Sequence, residues 1–594
     1  MSVLENLLLA AALAALAMLP LAEALLRRFA HASIEGSAEF VQHLTLVVSM
    51  LGAAVAARDG KLLTLFEFAS LGRPRLRSAG RWLANAGGAV ASFLLGLGGL
   101  NLASTERDAG TVIAYGVPVW AVQLVLPVGF ALIGARLLWR SAHAPAWRIA
   151  ATAACALVLA SAPLWAPRPD VWLVPALALL AACALAGAPI FAVLGGLGLG
   201  LFWSEHMPIA SLALDQYTMV VNPSLPTIPL FTLAGFGLAA GGAPQRLTEL
   251  FRALFGHFRG GVAIASVVVG AFFTAFTGGS GVTILALGGV LLPLMVAAHH
   301  RERDAIGLVT VAGSLGTLLA PCLPLVLYAI VAKIGIERMF LGALPPALLM
   351  IALVAAWGAR RAPRVAAGAH AFDRRRAWRA IRAAKWELAL PAVVFASLFG
   401  GFATPVEAAA LTVLYVFAVE IFVHRELRDS RRLLEVFAGC GALVGGVLLI
   451  LGVALGLTNY LVDIQWPDHA VAWATGAIHS RWLFLLSLNG LLLLVGALME
   501  IWSAIVVLPP LLVPVGLAFG VDPVHLGVIF LANLELGYLT PLVGINLFYA
   551  SSRFDRPILE VCRAVLPLFP VLAFGVLVTT YVPWLSTVLP RLIH

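Results

Sequence analysis

Long apolar stretches separated by short charged segments run through the whole chain and predict membrane-spanning helices. One stretch, residues 262–298, contains no charged residue, and basic residues stand on both sides of it at Arg259 and Arg301. Basic residues collect on the cytoplasmic side of a membrane, so both ends are predicted to lie there. Two crossings of about 20 residues each, with a turn, need more residues than this stretch has. The pattern therefore predicts a re-entrant helical hairpin.

The tip of this predicted hairpin is rich in glycine. It spans residues 277–281 and reads Thr-Gly-Gly-Ser-Gly, a sequence that permits tight, non-helical backbone. Non-helical backbone at membrane depth is tolerated only inside protein or beside a water-filled cavity. The tip is therefore a candidate binding site.

A second copy of the pattern lies downstream and predicts a second hairpin over residues 482–516. Each hairpin is followed by a predicted broken helix, 305–332 and then 524–550, interrupted near Pro321 and near Thr540. Internal repeats with broken helices in matching positions indicate a secondary transporter. Loop charges predict that the first hairpin enters from inside and the second from outside, so the repeats are inverted. The matching pairs, all 221 residues apart (514 − 293, 537 − 316 and 549 − 328), are Pro293 with Pro514, Gly316 with Gly537, and Tyr328 with Tyr549.

Composition agrees with an all-α, polytopic membrane protein. The chain has 594 residues, of which 61% are hydrophobic and 11% charged, and its mean hydropathy is +0.99. The formal net charge of +9 does not predict nucleic-acid binding, because the Lys and Arg residues lie in short loops where they set topology. The five cysteines lack metal-ligand spacing, and no Walker A motif is present, so we expect no resident cofactor and no ATP coupling within this chain.

The spans group into three predicted parts. Residues 1–143 form a four-helix unit, residues 144–170 a connecting transmembrane helix, and residues 171–594 the transporter unit with both hairpins. Within the last part, residues 217–240 are predicted to cross the membrane as one span. The strongly basic segment 360–385 is predicted to anchor the chain on anionic membrane lipid rather than on a protein partner.

Several motifs resemble those of TRAP (tripartite ATP-independent periplasmic) transporters with the small Q and large M membrane subunits fused. The resemblance covers nearly the whole chain, and its motifs stand in the family's order. The matching segments are YGVPVWAVQLVLPVGFALIGARLL at 115–138, IPLFTLAGFGLAAGG at 228–242, GHFRGGVAIASVVVGAFFTAFTGGSG at 256–281, FATPVEAAALTVLY at 402–415 and GVDPVHLGVIFLANLELGYLTPLVGINLFYAS at 520–551.

The resemblance implies an elevator-type, sodium-coupled importer in a bacterial inner membrane. It also implies a four-helix, Q-like scaffold unit and a soluble periplasmic substrate-binding protein (the P subunit) that delivers the substrate. The substrates of the family are carboxylates such as C4-dicarboxylates, sialic acids and other organic acids. The chain is therefore expected to be a transporter and not an enzyme, with sodium as the coupling ion and with no nucleic-acid partner.

Candidate sodium ligands lie where each hairpin tip faces its broken helix. Sodium takes oxygen ligands, which backbone carbonyls at unwound helix ends and a few side chains supply. The resemblance places one sodium ion at each pair. Close helix packing also explains any single glycine or serine, and we favour ion binding only for the two sets together. The first set is Gly279, Ser280, Gly281, Gly313, Ser314 and Gly316; the second is Glu500, Ser503, Gly537, Thr540 and Pro541.

The substrate is expected between the two tips. Neither predicted hairpin nor broken helix contains Arg or Lys, so an anionic substrate depends on helix N-terminal amides, hydroxyls, an amide side chain and bound sodium. The candidate substrate contacts are Ser280, Thr540, Gly544 and Asn546.

Two further acids lie in apolar segments, where an ionisable group is functional by default. Glu407 is expected to brace a helix or the ion site. Glu535 is expected either to meet a cation, a proton or a polar substrate group, or to pair with another residue of the same unit, and we weigh these equally.

The alternative to a tripartite importer is a sodium/carboxylate symporter that needs no binding protein. The Q-like unit argues against it. A membrane-embedded enzyme or scaffold is disfavoured because the sequence shows no catalytic constellation. A channel is disfavoured because paired re-entrant tips in inverted repeats suit alternating access better.

Overall fold

The structure is a computed structural model. It describes residues 2–64, 74–142, 144–363, 372–401, 403–499, 501–540 and 544–593. Nearly all of these residues are helical, and among them the β-type pairings are two isolated bridges, Thr64 with Pro189 and Val112 with Pro118. The predicted all-α class is confirmed.

The α-helices are numbered in chain order. The first eleven are α1 (Ser2–Leu25), α2 (Ser37–Asp59), α3 (Pro74–Ala109), α4 (Val119–Gln123), α5 (Val125–Arg140), α6 (Pro145–Ala160), α7 (Ala162–Trp165), α8 (Pro169–Leu185), α9 (Ile190–Ser204), α10 (Ala210–Val220) and α11 (Thr227–Ala240). The next nine are α12 (Ala243–Phe255), α13 (Gly261–Thr277), α14 (Ser280–Ala297), α15 (Glu302–Ala312), α16 (Leu323–Val331), α17 (Ile336–Arg361), α18 (Arg374–Ala383), α19 (Lys385–Phe399) and α20 (Pro405–Ala418). The last ten are α21 (Ser430–Asp463), α22 (Trp466–Ala477), α23 (Arg481–Leu498), α24 (Ile501–Val507), α25 (Pro509–Ala518), α26 (Pro523–Gly537), α27 (Ile545–Phe554), α28 (Ile558–Val565), α29 (Phe569–Tyr581) and α30 (Trp584–Ile593).

Many of these helices are long and apolar enough to cross a bilayer. By length and composition, the described residues contain 10 candidate spans, or up to 14 if each of four sharply bent helix pairs is one span. A helix that crosses the hydrocarbon core needs about 20 apolar residues. The chain is therefore a multi-pass membrane protein, as predicted.

The chain divides into two compact units. The first contains Met1–Pro229 and Leu434–His469, and the second contains Leu230–Leu433 and Ala470–His594. The first unit therefore takes in helices from the start and from the middle of the predicted M-like segment, whereas both hairpins and both broken helices belong to the second.

In the first unit, a shared acid joins three helices at one end. The Glu5 carboxylate of α1 accepts hydrogen bonds from Arg58 of α2 at 2.9 Å and from Arg136 of α5 at 2.5 Å. Close helix packing also holds this unit together. A Cβ on Gly52 of α2 would overlap with the backbone of Gly441, which lies in α21, far away in sequence. Small residues let membrane helices approach in this way.

The predicted single span 217–240 is wrong, because the structure has two helices there. Helix α10 ends at Val220 and α11 begins at Thr227. Between them, the Asn222 side chain accepts a hydrogen bond from the Ser224 amide at 2.9 Å, and Pro223 has no amide to continue a helix. Residues 221–227 read Val-Asn-Pro-Ser-Leu-Pro-Thr, and the two prolines beside Asn222 are a turn signal that the single-span prediction passed over.

The first predicted hairpin is present in the second unit. Helices α13 and α14 are its arms, and Gly278 and Gly279 form the tip between them. Gly278 has φ +72°, a left-handed conformation that glycine adopts without steric cost. Its amide donates to the Thr274 carbonyl at 3.0 Å and so ends the first arm.

The second predicted hairpin is also present, but its second arm is bent. Helix α23 is the first arm and ends at Leu498. The second arm consists of α24 and α25, which meet at an angle of 55°. Pro509 begins α25 and lacks the amide that a continuous helix needs.

Both broken helices are interrupted where the prolines and glycines predicted. In the first, α15 ends at Ala312, a 3-10 turn covers Leu315–Leu318, and α16 begins at Leu323. In the second, α26 ends at Gly537 and α27 begins at Ile545.

Each of the two repeats contains the same close backbone contact between its hairpin and its broken helix. A Cβ on Gly316 would lie 2.7 Å from the Ala275 amide nitrogen, and a Cβ on Gly537 would lie 2.6 Å from the Gly496 Cα. The two residues of the contact in the second repeat each lie 221 positions after their counterparts in the first, since 537 − 316 = 221 and 496 − 275 = 221. In each repeat, the broken helix therefore packs against the first hairpin arm at an equivalent point, where only glycine fits.

Gly537→Ala should separate the second hairpin from its broken helix. Overpacking a tight contact costs about 1–3 kcal/mol, so we expect a lower unfolding temperature in detergent. Gly490→Ala is the control, in the hairpin arm that Gly537 contacts, because an added Cβ there meets nothing within 4 Å. Equal unfolding temperatures for the two variants would contradict the contact.

A buried charge cluster ties α12 to α19 and to the end of α20 in the second unit. The Arg246 guanidinium donates to Glu387 at 2.5 Å, to Glu420 at 2.9 Å and to Glu426 at 2.8 Å. The Glu387 and Glu420 side chains are each only 1% exposed. A buried carboxylate without a cation is costly, so one arginine holds three segments together.

Arg246 affects the pKa values of two groups at the edge of this cluster, Glu426 and His424. Burial acts to raise the pKa of Glu426, but the Gly242 amide and the charge of Arg246 outweigh it and hold that pKa below its ordinary value. Burial, and then the charge of Arg246, lower the pKa of His424. The imidazole is therefore neutral at pH 7 and adds no positive charge, which leaves Arg246 as the central cation of this cluster.

Arg246→Met should destabilise the protein strongly. Breaking a buried ion pair from one side costs about 3–5 kcal/mol, and here two buried carboxylates lose their partner. The control is Arg376→Gln, which removes an exposed pair with Glu249 and should cost at most about 1 kcal/mol. Thermal unfolding in detergent measures both, and comparable losses would refute a special role for the cluster.

Candidate functional site

Oxygen atoms gather where the first hairpin tip meets the first broken helix. The Thr274 hydroxyl lies 2.8 Å from the Gly313 carbonyl, 2.9 Å from the Gly270 carbonyl and 2.7 Å from the Thr283 hydroxyl. Thr277 adds its own hydroxyl, 3.1 Å from that of Thr283. All three threonines are buried. Because one hydroxyl proton cannot serve three acceptors at once, the cluster has more oxygen lone pairs than donors, which suits a hard cation.

Two of the predicted residues on the first broken helix border this cluster. A Cβ on Gly313 would lie 3.5 Å from the Ser280 carbonyl, so the tip and the break face each other closely. The Ser314 hydroxyl instead donates to the Val311 carbonyl of its own helix at 2.9 Å. The Ser314 carbonyl accepts from the Thr317 hydroxyl at 2.9 Å. The hairpin tip and the break therefore lie close together, as predicted. The hydroxyl groups of the cluster belong to threonines that were not among the predicted ligands.

Two of the predicted glycines have packing roles. Gly316 lies against the first hairpin arm, as described above. A Cβ on Gly281 would lie 2.5 Å from the Tyr549 ring of α27. Gly279 has extended backbone, and an added Cβ there would meet only Val282, at 3.8 Å.

The first hairpin tip also contacts the second broken helix. The Ser280 hydroxyl donates to the Asn546 side-chain oxygen at 2.7 Å. The Asn546 amide nitrogen is buried and has no hydrogen-bond partner in the described part of the chain. Ser280 begins α14 and Asn546 stands in the first turn of α27. Two helix N-termini therefore meet here, one from each repeat, and the first amides of a helix have no carbonyl partner within that helix.

The second predicted sodium set is only partly described. Glu500 and Pro541 lie outside the described residues. The Ser503 hydroxyl is fully buried and has no partner among the described residues. The Thr540 hydroxyl donates to the Gly537 carbonyl at 2.8 Å, and the Thr540 carbonyl accepts from the Gly544 amide at 3.1 Å. These hydrogen bonds link Thr540 to both Gly537 and Gly544.

Glu535 connects the two broken helices. Its side chain is fully buried, and one carboxylate oxygen accepts a long hydrogen bond from Thr317 at 3.4 Å. The other oxygen has no partner within the described ranges. Since 535 − 314 = 221, Glu535 is the repeat counterpart of Ser314. An acid thus occupies the position where the first repeat has a hydroxyl.

Comparison with known families decides the identity of the chain. The family model described as "Tripartite ATP-independent periplasmic transporter, DctM component" matches residues 177–585. The model described as "Tripartite ATP-independent periplasmic transporters, DctQ component" matches residues 16–144. The chain belongs to the TRAP transporter family. It carries the Q and M membrane components in one polypeptide.

Relatives of this TRAP permease include both separate and fused proteins. The C4-dicarboxylate TRAP transporter large permease protein DctM of Rhodobacter capsulatus is 35% identical over 70% of this chain and 98% of its own length. The isethionate TRAP transporter permease protein DctMQ of Oleidesulfovibrio alaskensis is 32% identical over 79% of this chain and 74% of its own length. The ectoine/5-hydroxyectoine TRAP transporter large permease protein UehC of Ruegeria pomeroyi is 29% identical over 59% of this chain and 82% of its own length.

In this TRAP permease, Glu407 lies at the start of α20. Its carboxylate accepts from the Thr404 amide at 2.7 Å, and the Thr404 hydroxyl accepts from the Glu407 amide at 3.3 Å. This reciprocal pair is a capping box, which satisfies amides that the first turn of a helix leaves free. The contacts place Glu407 in a helix-bracing position, and a role at the ion site stays a prediction.

Sequence reasoning missed the threonines. Thr274, Thr277 and Thr283 supply the hydroxyls of the first oxygen cluster, and Thr317 reaches Glu535. The available signal was that Thr274 and Thr277 stand three residues apart just before the glycine tip, with Thr283 four residues after Gly279, in arms that are otherwise almost wholly apolar. Residues at that spacing share one helix face, so two of them were bound to point toward the same neighbour.

Thr274→Val should weaken the join between the first hairpin and its broken helix. The variant keeps the shape but removes the donor to the Gly313 carbonyl, and an unsatisfied buried group costs about 1–3 kcal/mol. Thr310→Val is the control, because that buried hydroxyl donates only to the Ile306 carbonyl of its own helix. We expect a larger drop in unfolding temperature for Thr274→Val, and an equal drop would contradict a specific join.

Proposed function

We propose that this fused TRAP permease is a sodium-coupled importer of an organic acid anion, which it receives from a periplasmic substrate-binding protein. One sodium ion binds at each hairpin and its broken helix, and the substrate binds between the two tips. The transport unit carries both across the membrane in an elevator motion. The observation that supports this best is the oxygen cluster formed by Thr274, Thr283 and the Gly313 carbonyl.

The donor set of the first site favours a hard monovalent cation. It consists of hydroxyl and backbone carbonyl oxygens in a buried place, which are the ligands that sodium takes in broken-helix transporters. Bound sodium would relieve the surplus of acceptors at Thr274. It would also supply positive charge beside the first tip, since residues 262–298 contain no basic side chain.

The meeting of two helix N-termini favours an anionic substrate. The N-terminus of a helix carries a partial positive charge and free amides, which bind carboxylates and other anions. Here α14 and α27 begin within hydrogen-bond distance of each other, at Ser280 and Asn546. The free Asn546 amide nitrogen is a further donor for a carboxylate or sulfonate oxygen.

The names of the relatives mention C4-dicarboxylate, isethionate, and ectoine or 5-hydroxyectoine. These molecules all carry a carboxylate or sulfonate group. We therefore place the substrate in the class of small organic acids, without choosing one member of the class.

Uptake into proteoliposomes tests the whole proposal. The full chain is reconstituted, and a labelled mixture of small organic acids is offered with or without an inward sodium gradient and the cognate binding protein. Uptake that needs both supports the tripartite importer. Uptake that needs sodium alone would replace it with a stand-alone symporter, and uptake independent of sodium would refute the coupling.

Asn546→Ala should weaken substrate binding in the same assay. The loss of one hydrogen bond to a charged group costs about 1.5 kcal/mol or more, which corresponds to a rise of about tenfold in half-saturating substrate. Ser487→Ala is the control, since that hydroxyl is exposed on α23 and donates only to its own helix. Unchanged half-saturation in Asn546→Ala would remove this side chain from the substrate site.

A further inference from the structure

Helix α18 presents a basic face to its surroundings in the second unit. Asp373 caps its N-terminus by accepting from the Arg375 and Arg376 amides at 2.9 and 3.0 Å. Four arginines on this short helix are exposed, as is Trp378, whose ring is 57% exposed. The exposed arginines are Arg374, Arg375, Arg379 and Arg382.

The opposite face of α18 is apolar and buried. Ala380 and Ala384 pack with Leu247 and Leu250 of α12, and Phe272 of the first hairpin arm packs against the same cluster. This packing fixes the rotation of α18 about its own axis. The arginines are therefore held outward by the fold.

The arginines of this helix differ in whether they pair with a carboxylate. Arg376 forms a forked contact with Glu249, through Nε at 2.9 Å and Nη2 at 2.7 Å. Arg375, Arg379 and Arg382 form no ion pair with a carboxylate in the described part of the chain. These three stand at positions i, i+4 and i+7, so they line one stripe of the helix.

Aromatic rings accompany these cations. The Arg382 guanidinium lies 5.6 Å from the centre of the Trp378 ring, and the Lys385 ammonium lies 4.7 Å from that of Trp386. Phe372, 49% exposed, precedes the helix. Tryptophan beside Lys and Arg is typical of the membrane–water interface, where the ring sits among the headgroups.

We propose that the stripe formed by Arg375, Arg379 and Arg382, with Trp378, binds the phosphate headgroups of anionic phospholipids at the cytoplasmic membrane surface. The charge of the stripe is complementary to such a leaflet, which attracts basic helices close to its surface. Guanidinium groups also bind phosphate oxygens in pairs. Through α12, the bound lipid supports the first arm of the first hairpin.

The proposal does not depend on which substrate is carried, so lipid binding is tested apart from transport. The full chain is purified in a neutral detergent and equilibrated with equimolar phosphatidylglycerol and phosphatidylcholine. Native mass spectrometry then counts each bound lipid. We expect the protein to retain phosphatidylglycerol in preference, by roughly fivefold or more, since each arginine near an anionic surface contributes a factor of that order.

The decisive variant is the triple replacement R375Q, R379Q and R382Q, which should bring retention of the two lipids close to equal. Replacing the same three arginines by lysine should keep the preference, which would show that positive charge at these positions is sufficient. The matched control R259Q, R301Q and R563Q removes the same charge from other exposed arginines and should also keep it. If the glutamine triple does not purify as a single species, R379Q alone should lower the preference.

Three results would overturn the proposal. One is an unchanged preference for phosphatidylglycerol in the glutamine variants. Another is an equal loss in the matched control, which would indicate a general charge effect. The third is displacement of phosphatidylglycerol by millimolar inorganic phosphate, which would indicate a site for free phosphate instead of lipid.

Discussion

A bilayer leaves every unpaired backbone group without water, and this constraint governs the transport unit. A continuous helix satisfies its own amides and carbonyls, but two hairpin tips and two helix breaks do not. Each such point therefore needs a partner from another element. The Gly313 carbonyl, freed by the end of α15, accepts from Thr274 of the first hairpin arm. The same lack of water that makes the break costly also makes its oxygens available to an ion.

The two repeats meet this constraint with the same backbone and different side chains. Gly316 and Gly537 both lie against the first arm of their hairpin at equivalent points. Around them, the first repeat has hydroxyl groups, whereas the second has Glu535 at the position equivalent to Ser314. The two repeats therefore keep the same geometry of hairpin and break while they differ in the side chains around it.

The second unit contains two different arrangements of charged residues. Inside it, Arg246 gathers three glutamates, two of them almost fully buried. Nearby, α18 packs on an apolar cluster shared with α12 and turns outward Arg375, Arg379 and Arg382, which form no ion pair with a described carboxylate. Helix α12 therefore takes part in both arrangements: one holds segments of protein together, and the other supports the basic face that we propose binds lipid.

The sequence by itself determined the class of protein, the two hairpins and the two breaks. These follow from local properties: apolar length, charges at the ends of each stretch, and glycine or proline where a helix cannot continue. The interval of 221 residues also paired the repeats without any coordinates. The single span predicted for residues 217–240 was wrong, because Asn222, Pro223 and Pro226 form a turn between two apolar stretches.

Only the tertiary structure decided which side chains meet. Thr274 and Gly313 are 39 residues apart, and Ser280 and Asn546 are 266 apart. No local pattern records such contacts, because a threonine in an apolar helix has the same appearance whether its hydroxyl returns to its own backbone, as in Thr310, or reaches another helix, as in Thr274. The packing of whole helices makes that choice, since it fixes which face of each arm is turned toward the break.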